Sequence, residues 1–424
     1  MPAPTQHTVT FPPISDSLKV DLFFDATLSM KGFTLTQTSS SYQQSVPLLE
    51  RAVIEGWRGG EASFYKFGDE IAPLPGRAFL EATKPQFYSD SKYNKRTFIE
   101  RVIDRADLDH LTVIVTDLFQ DNADVNQLST KLKNKFIANG LSVGVLGIRS
   151  QYDGTVYDVG TDNYSFSYKS SEKPDSGRPF FLLAFGSHAN VAQYFAVLEL
   201  SGLSNFPERH ALILSRFLTA QSAPFATAKL KTANKMSEIS SSNLLESSTG
   251  QDHIKAFQIT KGKTETSFTT EWAYAPLPNV IEHAPALAPE LTAWKGENSG
   301  GKQLTLVESS AAKTALEITA KLFPETAPFS KLDLQARLNV KDLPASGKYC
   351  YRIVLRPNSY SLPSWVSEWN MRDIEIKTWH MKVGQFNGAK TYNLENFLST
   401  LQGAVLNTTP PEVGDIYLYL KVDK

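Results

Sequence analysis

The chain has 424 residues, 43 Lys and Arg against 44 Asp and Glu, 41% hydrophobic and 21% charged residues, and a formal net charge of -1. That balance excludes nucleic acid or an anionic membrane as an electrostatically captured partner, and a single cysteine, Cys350, excludes an internal disulfide framework or a multi-cysteine zinc site. The length suffices for two or three domains, each with its own core.

No apolar run approaches the about 18 residues of a membrane span. The polar, proline-rich stretch at residues 1–18 reads as an N-terminal extension without the apolar centre of a signal peptide. A cytoplasmic protein is the expectation, with a cell-surface protein exported without a cleaved signal as the alternative.

The first strong signal is Val20-Asp21-Leu22-Phe23-Phe24-Asp25-Ala26-Thr27-Leu28-Ser29-Met30. A short apolar run bounded by polar residues reads as a buried strand. Asp25, Thr27 and Ser29 then fall in the loop beyond its carboxyl end, where open α/β sheets bind ligands. One carboxylate and two hydroxyls make an oxygen-only set suited to a hard divalent cation. A hydroxyl-capped helix start accounts for the same residues equally well.

Helical spacing over Val46–Ile54 ends at Gly56, and Ala62–Phe67 alternates as a strand up to Gly68-Asp69. Thr97–Ile103 has a helix pattern. Leu111–Thr116 is an apolar or β-branched strand that ends in Asp117. Val125–Asn139 is an amphipathic helix closed by Gly140, and Leu141–Ile148 and Pro179–Phe185 are buried strands, followed by a helix at Asn190–Leu200. Strands without a polar face, alternating with helices, predict a doubly wound, mostly parallel α/β sheet covered on both sides. Residues 149–178 lack a helix pattern, and Asp153-Gly154 between alternating residues signals a hairpin. In a parallel sheet it leaves from the same edge as Asp25 and Asp117. Tyr152, Asp153 and Tyr157 are therefore candidates for a partner-binding rim, with a plain surface decoration as the alternative.

The segment Asp21–Gly32, carrying D-x-T-x-S-M at Asp25–Met30, is similar to the opening of a von Willebrand factor type A domain, and Phe67-Gly68-Asp69 resembles that family's third strand ending. The resemblance extends from residue 19 to about 200, inside a domain placed at 19–205. It implies a metal-ion-dependent adhesion site built from Asp25, Thr27, Ser29, a distal threonine and Asp117, holding Mg²⁺, or Mn²⁺ or Ca²⁺. Thr97 is the distal threonine, with Thr83 as the alternative. Thr27 replaces a serine, and Leu28 and Leu118 stand where the family often has glycine. In such a site two carboxylates match a dication, hydroxyls fill further positions, and a carboxylate from another protein can displace a water.

From Ser201 the pattern changes. Ala211–Leu218 is a short apolar run, and residues 219–250, rich in Ser, Ala, Thr and Lys, predict a mobile segment. Strand patterns follow at Ile254–Thr260, Thr266–Tyr274, Leu291–Trp294, Gln303–Val307, Leu316–Leu322 and Leu332–Val340. Gly, Pro, Asn and Ser clusters separate them, which predicts an all-β antiparallel sandwich over 206–360. Leu343 followed six residues later by Tyr349 is similar to the tyrosine corner of immunoglobulin-like and fibronectin type III sandwiches. Residues 361–424 carry Trp365, Trp369 and Trp379, a helix at Asn393–Asn407 and a strand at Ile416–Val422. They either complete the sandwich or dock it to the first domain.

Gly296–Lys302 matches G-x-x-x-x-G-K, but Gln303 and an alternating strand follow, so a hairpin is the better reading. The histidines form no pair at helical spacing, and there is no G-x-S-x-G elbow. The expected function is a non-enzymatic, metal-dependent scaffold that engages a protein presenting Asp or Glu. An exported adhesin and a Mg²⁺-dependent hydrolase are the alternatives.

Overall fold

A computed structural model describes residues 14–423 except 15, 119–121, 160–163, 171–175, 219–228, 233–235, 240–254, 261, 263, 274–278, 281–285, 299–303, 324–330, 360, 382–385 and 409–412. The chain divides into two units. The first comprises Pro12–Arg216 and Leu362–Thr409, the second Phe217–Ser361 and Pro410–Lys424.

The first unit starts with β1 (Lys19–Asp25), α1 (Leu28–Lys31) and α2 (Ser41–Gly56). A capping box fixes the start of α2: Ser40 Oγ accepts from Gln43 N, and Gln43 Oε1 accepts from Ser40 N. There follow β2 (Glu61–Phe67), β3 (Ile71–Pro73), α3 (Ile99–Arg105), β4 (Leu111–Thr116), α4 (Asn122–Lys135) and β5 (Ser142–Ser150). A separate hairpin, β6 (Asp153–Val159) and β7 (Tyr164–Lys169), precedes β8 (Arg178–Gly186), α5 (His188–Ser201) and β9 (Arg209–Leu214). The main sheet has the order β3-β2-β1-β4-β8-β5-β9.

The expected doubly wound, mostly parallel sheet does not hold. Only β1–β2 and β1–β4 pair in parallel, while β2–β3, β4–β8, β8–β5 and β5–β9 are antiparallel. The cause lies between β5 and β8, which a hairpin joins instead of a crossover helix, so they pair antiparallel. β8 thereby enters between β4 and β5. A run buried on both faces reads the same in either direction, so its sequence could not show this.

The second unit begins with β10 (Lys229–Thr232), β11 (Met236–Ile239), β12 (Lys255–Ile259), β13 (Glu265–Ala273), β14 (Ala286–Asn298) and β15 (Leu304–Glu308). It continues through α6 (Ser310–Thr314), β16 (Leu316–Phe323), β17 (Lys331–Asn339) and β18 (Gly347–Ser359). The chain then returns to the first unit as α7 (Ser364–Trp369), β19 (Asn370–Met371), α8 (Asp373–Met381), β20 (Thr391–Tyr392) and α9 (Leu394–Thr408), before β21 (Gly414–Val422) rejoins the second.

One sheet of the second unit, β10-β13-β17-β16, is antiparallel throughout. The other, β11-β12-β21-β18-β14-β15, contains the parallel pair β12–β21, so the expected all-antiparallel sandwich does not hold either. The parallel pair arises because β21 arrives from a distant part of the chain and slots between β12 and β18. The domain limits expected at 205, 360 and 424 shift accordingly, since residues 362–409 group with the first unit and 410–424 with the second.

The segment 219–250 expected to be mobile contains β10 and β11, and its remaining residues lie outside the described ones. Most of the 1–18 extension and residues 299–303 of the G-x-x-x-x-G-K match also lie outside them. The flanking pair Asn298↔Leu304 joins β14 to β15 as antiparallel neighbours.

The returning helices supply core to the first unit. Leu394, Phe397, Leu398, Leu401 and Val405 of α9 pack in one cluster with Phe23, Ile114, Leu183 and Leu212. Trp369 Nε1 donates to Glu208 Oε1 at 3.1 Å, and Trp365 stacks on His210 with ring centroids 5.4 Å apart. The tryptophan pair of α7 is thus internal packing. Among the described residues, no helix is long and apolar enough to cross a membrane.

In β18, Tyr349 is buried and its hydroxyl donates to Ala345 O at 2.7 Å, tying the strand to the loop before it. Burial pushes the neighbouring Cys350 thiol up to about 12, so it packs as a protonated residue rather than serving as a nucleophile. Tyr349→Phe should destabilise the second unit by about 1–3 kcal/mol, the penalty for a buried acceptor losing its donor. Urea denaturation of the variant and the parent measures it, and equal midpoints would show that the hydroxyl contact contributes nothing.

Candidate functional site

The carboxyl ends of β1 and β4 lie side by side, and each delivers an aspartate: Asp25 closes β1 and Asp117 follows β4 directly. Asp25 is 0% and Asp117 1% exposed, so both carboxylates are withdrawn from water. Asp25 is held by donors on both oxygens. Its Oδ1 accepts from Thr27 N at 3.0 Å and Thr27 Oγ1 at 2.7 Å. Its Oδ2 accepts from Thr116 Oγ1 at 2.8 Å and Thr97 Oγ1 at 3.2 Å. Thr27 Oγ1 also lies 3.2 Å from Ser29 Oγ and 3.2 Å from Thr97 Oγ1.

Asp25, Thr27, Ser29 and Thr97 therefore converge, with the Ser29 and Thr97 side chains half-buried above the buried carboxylates. Thr83 sits apart, its hydroxyl donating to Leu80 O at 2.8 Å, so Thr97 is the distal threonine of the cluster. Thr116, the last residue of β4, belongs to the cluster too. Sequence reasoning passed over it because a threonine inside an apolar strand reads as a β-former.

The loop that carries Thr97 is seated by the end of β2. Asp69 Oδ2 accepts from Lys95 N at 3.0 Å and Arg96 N at 3.3 Å, and Arg101 donates to Asp69 O. Leu28 N donates to Asn94 O at 3.2 Å, which fastens the same loop to α1. Gly68 makes the approach possible, since a Cβ there would lie 1.7 Å from Tyr93 O. The strand ending Phe67-Gly68-Asp69, visible in the sequence, thus acts by placing a hydroxyl far along the chain.

Asp117 Oδ2 accepts from Arg178 Nη2 at 2.8 Å, and Arg178 is 0% exposed. Sequence reasoning missed this arginine. In a parallel β8 its first residue would lie at the opposite edge of the sheet, whereas the antiparallel strand brings it to Asp117. The signal available was a charged residue opening an apolar run. Burial, and then the Asp117 charge beside it, push the Asp25 carboxyl up to about 6. Leu118, after Asp117, adopts φ +52°, a region that costs a non-glycine residue roughly 1–2 kcal/mol. Packing of its side chain into the core, at 4% exposure, offsets that strain and explains a leucine where glycine would fit the backbone better. Among the described residues, no three His, Cys, Asp or Glu side chains gather at one point, so any cation here relies on two carboxylates and the hydroxyls.

The hairpin departs from expectation. Asp153 and Gly154 open β6 instead of forming its turn, and Gly154 pairs with Tyr168. The glycine serves close approach, because a Cβ on it would lie 2.9 Å from Gly32 Cα. Tyr152 reaches the site but is 1% exposed, so it is no rim residue. Its hydroxyl donates to Ser29 O at 3.0 Å and Thr155 O at 2.8 Å, its ring meets Phe33 edge-on, and the Arg178 guanidinium lies 5.4 Å from its centroid. Asp153 pairs with Lys169 across the hairpin at 2.9 Å, and Tyr157 is 37% exposed.

No protein-family model matches the sequence, and no curated protein matches it.

Two outcomes follow from this geometry. With its folded pKa raised, Asp25 binds a proton more tightly in the folded chain than in the unfolded one. Its contribution to stability is therefore complete below about pH 4 and is lost as pH rises through about 6. Asp25→Asn, with the Thr97 and Thr116 hydroxyls free to turn, should stabilise the cation-free chain at pH 7 by about 2–3 kcal/mol. Thermal melts at pH 4 and 7 test this, and an identical pH response in variant and parent would contradict it. Gly68→Ala should dislodge the Thr97 loop at a cost of about 1–3 kcal/mol, as overpacking does. A variant with the parent's melting temperature would show the contact to be slack.

Proposed function

We propose that the first unit is a non-enzymatic, cation-dependent protein-binding module, with Asp25, Thr27, Ser29, Thr97 and Asp117 holding Mg²⁺ or a similar ion. The observation that carries this reading is the convergence of three hydroxyls over buried carboxylates. Their 3.2 Å separations compare with the about 2.9 Å expected between adjacent ligands of an octahedral ion at 2.0–2.1 Å. The desolvated Asp25 carboxylate, pushed up to about 6, is a group that gains from a nearby cation. The D-x-T-x-S-M spacing supports the same reading.

A divalent cation at this position supplies a coordination site for a carboxylate oxygen of a partner. Lys95 and Arg96, exposed and adjacent to Thr97 in sequence, favour the approach of an acidic surface. Hydrolysis is the weaker reading. Among the described residues no third His, Cys, Asp or Glu gathers with Asp25 and Asp117, so once both hold the cation no such side chain is left to act as a general base.

Mg²⁺ or Mn²⁺ should raise the melting temperature of the full chain, since saturation at a hundred times Kd stabilises by about 2.7 kcal/mol. Asp25→Ala and Thr97→Ala should each abolish the shift. Melting curves unmoved by millimolar amounts of either ion would sink the proposal.

A further inference from the structure

We infer that Arg178 is a positioning and charge-setting residue that determines how tightly the Asp25–Asp117 site takes a cation, an inference that rests on the cation-binding reading above. Arg178 is fully buried. Its Nη2 donates to Asp117 Oδ2 at 2.8 Å, its Nη1 to Gly388 O at 3.4 Å, and its guanidinium lies 5.4 Å from the Tyr152 ring centroid. A guanidinium does not lose its proton in a protein, so one positive charge is built permanently into the site.

Two consequences follow from that charge. The first concerns folding. Asp117 is buried, and a buried carboxylate without a partner is strongly unfavourable, whereas the pair with Arg178 lets the site form before any ion arrives. The second concerns affinity. With both aspartates ionised, the cluster carries one net negative charge instead of two, so a divalent ion is only partly neutralised by its surroundings. Such an ion is held weakly and exchanges readily. The surplus positive charge is offset by an anionic ligand arriving from the half-buried Ser29 and Thr97 side. Arg178 thus trades cation affinity for a demand that an acidic partner complete the charge balance.

Melting temperature against Mg²⁺ concentration, measured on the full chain, tests this without any activity assay. Arg178→Gln leaves Asp117 buried and unpaired, so it should melt well below the parent in the absence of Mg²⁺. Added Mg²⁺ should restore most of the loss, with a midpoint about tenfold lower than the parent's once a unit charge beside the site is gone. Arg178→Lys, which keeps the charge, should retain the parent's midpoint. The double variant Asp117→Asn, Arg178→Gln should fold without Mg²⁺ and show no tightening. If Arg178→Gln must be purified in Mg²⁺, titration with a chelator gives the same comparison in reverse. An Arg178→Gln response at the parent's Mg²⁺ concentration or above would leave Arg178 a structural ion pair only and overturn the inference. No response to Mg²⁺ in the parent or any variant would overturn the cation site itself, and the inference with it.

Discussion

Two aspartates end neighbouring parallel strands inside the protein, and much of the first unit is arranged to make their charge tolerable. A carboxylate taken out of water is unfavourable by several kcal/mol unless it is paired or hydrogen-bonded (roughly the range for ions in real proteins). The two aspartates meet this demand differently. Asp117 takes a full counter-charge from Arg178, whereas Asp25 takes only dipoles, from Thr27, Thr97 and Thr116. Burial, and then the neighbouring Asp117 charge, push the Asp25 carboxyl up, and the hydrogen bonds from Thr27 and Thr116 offset them only in part. A buried carboxylate with a raised pKa beside a buried ion pair is an arrangement of the kind found at functional sites.

Close backbone approach is the second requirement. Three glycines remove side chains where segments far apart in sequence must touch: Gly68 under the Thr97 loop, Gly32 under the Tyr152 ring, and Gly154 against Gly32. At Gly32 a Cβ would lie 2.3 Å from Tyr152 Cζ, so the ring occupies the space a side chain would have used. Tyr152 then bridges the loop after β1 and the start of the hairpin, and forms one wall around Arg178. Rigid packing of this kind holds polar groups within hydrogen-bond reach at little further entropic cost.

The path of the chain adds a further constraint. It leaves the first unit after β9, forms most of the second, and returns to deposit α7 and α9 on the sheet of the first. The core of the first unit is complete only when α9 has packed beside α4. Folding of the first unit therefore depends on contacts between residues separated by most of the second unit, and such non-local closure slows folding.

Much was legible in the sequence, for local reasons. Apolar runs of limited length, each ending in a polar residue, placed Asp25 at the carboxyl end of β1 and Asp117 just after β4, because strand ends are marked by the residues at the boundary. The alternation of strands and helices in the first half, and the β-rich composition of the second, were readable in the same way. Strand direction was not, since β8 after Arg178 is an apolar run and its sense depends on the hairpin before it. From that direction followed what only the tertiary structure decided: Arg178 meeting Asp117, and the sheet being mixed. The choice of Thr97 over Thr83 and the burial of Tyr152 also waited on the fold. Each depends on which distant segments meet, and periodicity along a chain carries no record of that.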